Sequence, residues 1–189
     1  MRLWLLRHAH VLAAPGLCYG ASDFPADPEA TRAAAQAAAA LLPYALPVWV
    51  SGLVRARQLA DALRALRPDL DQPRCDVRLN EMDFGHWEGQ AWADIPRTAL
   101  DTWTIDFAHH RFGGIENTHM VLQRVAAAME DVQKTAGANG AALWVTHAGV
   151  IRSVMYLVSY GRRALPTSEA WPDLALRFGE CAMVDLTEW

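Results

Sequence analysis

Short apolar runs punctuate the chain at Leu3 to Leu6, Val48 to Val50, Val77 to Leu79, Ala141 to Val145 and Ala182 to Leu186, each of a length that suits a buried strand. Helical patterns fall between most of them. Asp27, Pro28 and Glu29 read as an N-cap, a first helical position and a first-turn acid, and Pro43 forbids continuation of the alanine-rich run beyond Leu42. A second helix is predicted from Leu53 to Arg67, with Leu59, Leu63 and Leu66 on one face and Pro68 as its stop. A third runs from Thr118 to Ala136 on a stripe of Val121, Val125, Met129 and Val132, with Gly137 beyond its end. The fourth, Gly149 to Tyr160, is apolar on most sides, which predicts a helix sandwiched between layers and ended by Gly161.

Strands alternating with helices of this length predict an α/β fold: a three-layer α/β/α sandwich around a mostly parallel sheet. The last apolar run, close behind residues 171 to 178, suits an antiparallel edge strand. Residues 80 to 117 break the alternation, with six aromatics (Phe84, Trp87, Trp92, Trp103, Phe107, Phe112) among glycine and proline breaks. They read as a lid-like insertion over the sheet's edge, within a single domain covering residues 1–189.

Composition narrows the function. With 52% hydrophobic and 20% charged residues the chain has the apolar content of a packed globule, and a net charge of −4 argues against a basic field for nucleic acid. Cys18, Cys75 and Cys181 are far apart and form no C-x-x-C pair, so neither a disulfide framework nor a zinc site is expected. The run Leu3 to Leu6 is too short for a signal core, and no segment approaches a membrane span, so a soluble cytoplasmic protein is expected. The glycine-rich dinucleotide and P-loop motifs are absent.

In a parallel sheet, ligands bind beyond the carboxyl ends of the strands, so the residues delivered there carry the chemistry. The first strand ends in Arg7-His8. The second ends at Ser51, with Arg55 in the first turn of the next helix, and the fourth ends in Thr146-His147 just before a helix N-terminus. Arginines and a helix N-terminus favour an oxyanion, and a neutral imidazole is a nucleophile toward phosphorus. Glu81, directly after the third predicted strand, is the carboxyl best placed to protonate a leaving group.

These residues sit in four stretches, LWLLRHA at 3–9, SGLVRARQLA at 51–60, LNEMDFGHWEG at 79–89 and WVTHAGVIR at 144–152. Their order and content resemble the histidine phosphatase superfamily, in its phosphoglycerate mutase-like branch. The resemblance implies a phosphohistidine mechanism without a metal or other cofactor, with catalytic residues His8, Glu81, His147, Arg7 and Arg55. His8 attacks phosphorus, its other ring nitrogen donating to a backbone carbonyl. Arg7, Arg55 and His147 hold the phosphoryl oxygens, with Tyr19 and Ala148 as further substrate contacts, and Glu81 protonates the departing oxygen.

There are departures from the family pattern. Its usual glycine after the nucleophile is Ala9, which is tolerable if that position does not need positive φ, and His10 replaces the usual acid. GLCYG at 16–20 and SDFP at 22–25 resemble the alpha-ribazole phosphatases of cobalamin biosynthesis, which implies alpha-ribazole 5'-phosphate as substrate. Trp87, Trp92 or Tyr19 are candidates to stack on a substrate ring, although aromatics at such spacing more often form core. Glu116 is a candidate for the pocket rim, and Asn117 or Thr118 for the N-cap of the third helix. The His109-His110-Arg111 cluster reads as a solvated loop that also suits steering of an anion.

The expected activity is hydrolysis of a small phosphate ester. Phosphoglycerate mutase-type transfer and an idle phospho-ligand binding module stand as alternatives. The expected partner is a small phosphorylated metabolite, with neither nucleic acid nor membrane, and the assembly, monomer or homodimer, stays open.

Overall fold

The computed structural model describes residues 1–135, 140–162, 166–173, 176–187 and 189. Five strands, β1 (Arg2–Arg7), β2 (Val48–Val50), β3 (Arg74–Cys75), β4 (Ala141–Thr146) and β5 (Cys181–Asp185), form one sheet in the order β3-β2-β4-β1-β5. β3, β2, β4 and β1 run parallel, and β5 closes the far edge antiparallel to β1. The helices are α1 (Pro28–Leu41), α2 (Val54–Leu66), α3 (Arg97–Ile105), α4 (Thr118–Thr135) and α5 (Ala148–Tyr160).

The period-2 alternation of the strands divides the core between two faces. Leu3, Leu5, Ala142 and Trp144 pack beneath α4 and α5, through Val125, Met129, Ile151 and Val154 among others. Leu6, Val48, Val50, Leu143 and Val145 face α1 and α2, through Ala35, Ala38, Leu59 and Leu63. The result is the three-layer α/β/α sandwich expected from the alternation, with the antiparallel edge strand in its expected place.

Local chemistry sets the helix ends. The Asp27 carboxylate accepts from Ala30 N–H at 2.7 Å, Pro28 opens α1, and the chain leaves the helix at Leu42 before Pro43. Asn117 caps α4 by accepting from Met120 N–H at 2.8 Å. Gly137 lies outside the described residues. α5 is not enclosed between layers: it buries Val150, Ile151, Val154 and Leu157, while Val158 and Tyr160 on its last turn are exposed.

Two further sequence expectations need correction. Val77 to Leu79 is not a strand but a single 3₁₀ turn. The pairing of β3 with β2 ends at Cys75, opposite Val50, and the Asp76 carboxylate then accepts from Arg78 N–H at 2.9 Å, turning the chain out of the sheet. The second correction lies in residues 80–117, which contain two further 3₁₀ turns, Gly85–Trp87 and Trp92–Asp94, and the unexpected helix α3. Pro96 precedes α3 and Arg97 pairs with Asp101 at 2.9 Å, while its three threonines weaken the helical signal. Five of the segment's six aromatics, all but Phe107, join or pack on the core: Phe112 is fully buried, with Trp103 stacked on it at 4.4 Å between ring centroids and Trp92 at 6.0 Å. Among the described residues, no helix is long and apolar enough to cross a membrane.

Candidate active site

The carboxyl ends of β1, β2 and β4 converge because these strands are neighbours in register, Arg7 lying opposite Thr146 and Val50 opposite Val145. The chain continues past each strand in extended form, His8 N–H donating to Thr146 O at 3.0 Å and Ser51 N–H to Val145 O at 3.1 Å. His8 and His147 emerge side by side, their ring centroids 5.0 Å apart.

His8 is 3% exposed and its Nδ1–H donates to the Ala9 carbonyl at 2.7 Å. That bond fixes the tautomer and leaves Nε2 as the bare nitrogen of the neutral ring. Burial, helped by the Arg55 cation, pushes the His8 pKa down to about 3, so the ring is neutral at pH 7. Ala9 fits without strain, since Ala45 alone among the described non-glycine residues has positive φ.

Arg55 is fully buried in the first turn of α2 and donates to Gly20 O at 2.6 Å and Ser22 O at 2.7 Å. The loop carrying these carbonyls is itself organised by Glu88, whose carboxylate accepts from the backbone N–H groups of Gly20, Ala21, Ser22 and Phe84 and from the Ser22 hydroxyl. Burial alone would raise the Glu88 pKa, but the Ser22 hydroxyl and these backbone donors outweigh it and hold the carboxyl below its usual value. Arg7 donates to Leu176 O at 2.9 Å and lies over the Phe178 ring at 4.0 Å. Burial lowers the pKa of both arginines, with Glu81 opposing it, and neither cation approaches neutrality near pH 7.

A chain of hydrogen bonds sets the His147 proton. Asn80 Oδ1 accepts from Gly52 N–H and from the Ser51 hydroxyl, both at 2.8 Å, so the Ser51 proton is committed. Ser51 Oγ, at 2.7 Å from His147, must accept from Nε2–H. The neutral ring therefore presents its lone pair at Nδ1, a buried atom with no partner among the described residues. Burial, then the His8 ring and the Arg55 cation, hold the His147 pKa well below its ordinary value.

Glu81 accepts from Gly149 N–H at 3.0 Å and Met82 N–H at 3.1 Å, which ties the carboxylate to the N-terminus of α5. Ala148 is the first residue of that helix, where N–H groups lack intrahelical acceptors. Tyr19 flanks the cluster, its ring 5.3 Å from the Arg55 guanidinium, and burial raises its phenol above the usual value.

The remaining sequence candidates lie elsewhere. Glu116 pairs with Arg124 at 2.9 Å, and Arg124 also donates to the carbonyls of Arg78 and Asn80, bracing the segment that carries Glu81. Trp87 stacks on Phe112, and Trp92 belongs to the aromatic core, so neither is a free platform. His10 is exposed, with its ring edge-on to Phe178. His109 is exposed and pairs with the ring of His119. Glu88, Asn80 and Phe178 were not assigned roles from sequence; only Glu88 and Asn80 carried a signal, as members of the 79–89 stretch.

Around His8 the nitrogens Arg7 Nε, Arg55 Nε and His147 Nδ1 are buried without partners among the described residues. Unmet buried donors are costly, and a tetrahedral oxyanion beside His8 supplies the acceptors for the two guanidinium N–H groups. His147 can donate from Nδ1 only after taking up a second proton.

The low His8 pKa has a measurable consequence. Between 6.5 and about 3 the unfolded chain binds a proton that folded His8 does not, so stability falls as pH drops through that window. At pH 5 the loss from His8 alone is about 2 kcal/mol. The urea midpoint is expected to fall between pH 7 and pH 5, and to fall less steeply in His8→Ala.

A sequence model of the histidine phosphatase superfamily (branch 1) matches residues 3–171. The TTHB049 protein of Thermus thermophilus superposes with a TM-score of 0.75 at 27% identity, over 99% of this chain and 95% of its own. A phosphoglycerate mutase from the same organism gives 0.71 at 28% identity, over 99% and 94% of the two chains. A mycobacterial glucosyl-3-phosphoglycerate phosphatase shares the fold, with a TM-score of 0.78 at 24% identity over 97% and 89% of the chains. No curated protein matches the sequence.

Proposed function

The chain belongs to the histidine phosphatase superfamily, branch 1, and from that premise we propose that it is a phosphomonoesterase working through a phosphohistidine at His8. The observation that carries this reading is the locked His8 ring, Nδ1–H on the Ala9 carbonyl and Nε2 free, beside buried and unpartnered nitrogens of Arg7, Arg55 and His147.

In the first half-reaction the Nε2 lone pair of His8 attacks phosphorus in line, the N–P bond forms, and the P–O bond to the alcohol breaks. Glu81, protonated by the water step of the preceding turnover, gives that proton to the departing oxygen. The N–H groups of Arg7 and Arg55 meet the equatorial oxygens as charge develops on them. His147, whose Nε2–H is held by Ser51, takes a second proton at Nδ1 from the acidic P–O–H of the bound ester, donates from there to the phosphoryl oxygens, and returns the proton as phosphate leaves. In the second half-reaction Glu81 takes a proton from water, whose oxygen attacks the phosphohistidine. The N–P bond breaks, inorganic phosphate leaves and neutral His8 is restored. The positively charged donors do the electrostatic work on the phosphoryl group, so the reaction is expected to proceed in EDTA.

The ester is a small phosphorylated metabolite, and the stretches at 16–20 and 22–25 support alpha-ribazole 5'-phosphate as a candidate to assay. Residues 80–117 act as the cover over the leaving group, supplying Glu81 at their first turn. The test is phosphate release from an aryl phosphate, from alpha-ribazole 5'-phosphate and from a phosphoglycerate, with the last also checked for migration of phosphate between its positions. Migration without release would replace hydrolysis by mutase-type transfer.

Glu81→Gln separates the steps. Release of a poor leaving group such as an alkoxide is expected to slow by about 10³-fold, whereas release of nitrophenolate, which needs no proton, slows much less in the first half-reaction. Equal slowing of the two in single-turnover measurements removes Glu81 as the acid.

A further inference from the structure

Beside the phosphoryl site lies a cavity of about 290 Å³ that the chemistry above does not use. It meets the site along Glu81, Ala148 and Gly149, and its far walls are Phe84, Trp103, Phe107 and Trp171. These walls are held by their own contacts, Trp103 against Phe107 at 5.5 Å between centroids and Phe107 edge-on to Trp171 at 5.4 Å. Such a surface favours a flat apolar group, and the volume is at the small end of ligand pockets, enough for one ring system.

One cation lines the same cavity. Arg152 stands one turn along α5 from Gly149 and makes neither ion pair nor hydrogen bond among the described residues, its Nε being buried without a partner. The carboxylate lining the cavity, Glu81, is engaged instead by the N–H groups of Gly149 and Met82. Trp103 Nε1 and Thr118 Oγ1 are likewise buried and unpartnered in the cavity wall. A partly enclosed guanidinium with two further unmet polar atoms beside it calls for acceptor oxygens, and a carboxylate is the group a guanidinium fork binds best.

We infer that this cavity receives the leaving alcohol, and that the preferred alcohol is a flat, apolar ring bearing a carboxylate that Arg152 binds. This rests on the phosphatase reading for the position of the breaking bond, and it names the substrate class. A neutral ring satisfies the walls alone; an acyclic acid satisfies Arg152 alone.

The test compares 4-carboxyphenyl phosphate with its neutral isostere 4-carbamoylphenyl phosphate. The kcat/KM ratio is expected to favour the carboxylate by about tenfold or more in the wild type, to shrink to about twofold or less in Arg152→Gln, and to recover in part in Arg152→Lys. A second readout needs no turnover: benzoate titrated into His8→Ala, with inorganic phosphate saturating the arginine pocket, quenches the fluorescence of Trp103 and Trp171. Adding Arg152→Gln to that variant abolishes the quenching. Hydrolysis without carboxylate preference, with benzoate quenching absent or indifferent to Arg152, overturns the assignment and leaves the phosphatase reading intact. Benzoate binding that depends on Arg152 without hydrolysis of any ester sustains the cavity assignment and defeats the phosphatase reading.

Discussion

Replacing His8 by alanine is expected to lower turnover of every hydrolysed ester by at least about 10⁴-fold, because it removes the proposed acceptor of the phosphoryl group. His8 is a neutral imidazole beside the Arg7 and Arg55 cations, with its bare nitrogen defined by the Ala9 carbonyl. Its removal leaves Arg7, Arg55 and His147 in place, so affinity for inorganic phosphate or vanadate is expected to persist. Circular dichroism and the urea midpoint report whether the fold is kept. Intact binding with lost turnover is the signature of a nucleophile, whereas loss of both together marks His8 as a structural residue.

The second large effect belongs to Arg55. Its guanidinium joins the loop carbonyls of Gly20 and Ser22 to the first turn of α2, at the edge of the proposed phosphoryl pocket. Arg55→Gln removes a charge from the transition state and leaves two buried carbonyls short of a donor. A loss of about 10³-fold in kcat/KM is expected, together with about 3 kcal/mol of stability. Arg55→Lys restores charge without the planar fork, so it cannot serve both carbonyls and an oxyanion, and it recovers only part of either loss. Steady-state kinetics beside urea unfolding measure both. An active Arg55→Gln protein with unchanged KM would take Arg55 out of the phosphoryl pocket.

The residues that proved legible in the sequence are those whose position follows from local rules. Asp27 with Pro28 and the stop at Pro43 define α1 without help from the rest of the chain, and the apolar runs at β1, β2 and β4 define strands whose ends must share one edge. Arg7, His8, Arg55 and His147 follow from those ends. Val77 to Leu79 looked like another strand because periodicity cannot register the Asp76 carboxylate that turns the backbone. α3 was hidden by threonines whose hydroxyls bond back to carbonyls four residues earlier, as Thr102 does to Thr98 and Thr104 to Leu100.

Long-range connections were illegible for a different reason. Glu88 lies 33 residues from Arg55 in the chain, yet it shapes the loop that holds that guanidinium. The Asn80 to Ser51 to His147 chain joins three separate segments, and only their assembly determines which ring nitrogen carries the proton. Trp87 and Trp92 illustrate the converse. Aromatic spacing favoured core for them over substrate stacking, and they do pack on Phe112, but it could not tell that the cavity walls come from Phe84, Trp103, Phe107 and Trp171.

The central claim is a covalent bond between phosphorus and His8. Glu81→Gln offers the means to trap it, since a good leaving group departs without the acid while the water step lacks its base. The protein is mixed with 4-nitrophenyl phosphate, quenched in alkaline denaturant within milliseconds, digested and analysed by mass spectrometry. The account predicts one added phosphoryl group on the peptide containing His8, formed with the nitrophenolate burst and absent from the His8→Ala protein. A burst and steady release of phosphate with that peptide unmodified, or with the phosphoryl group on another residue, would contradict it.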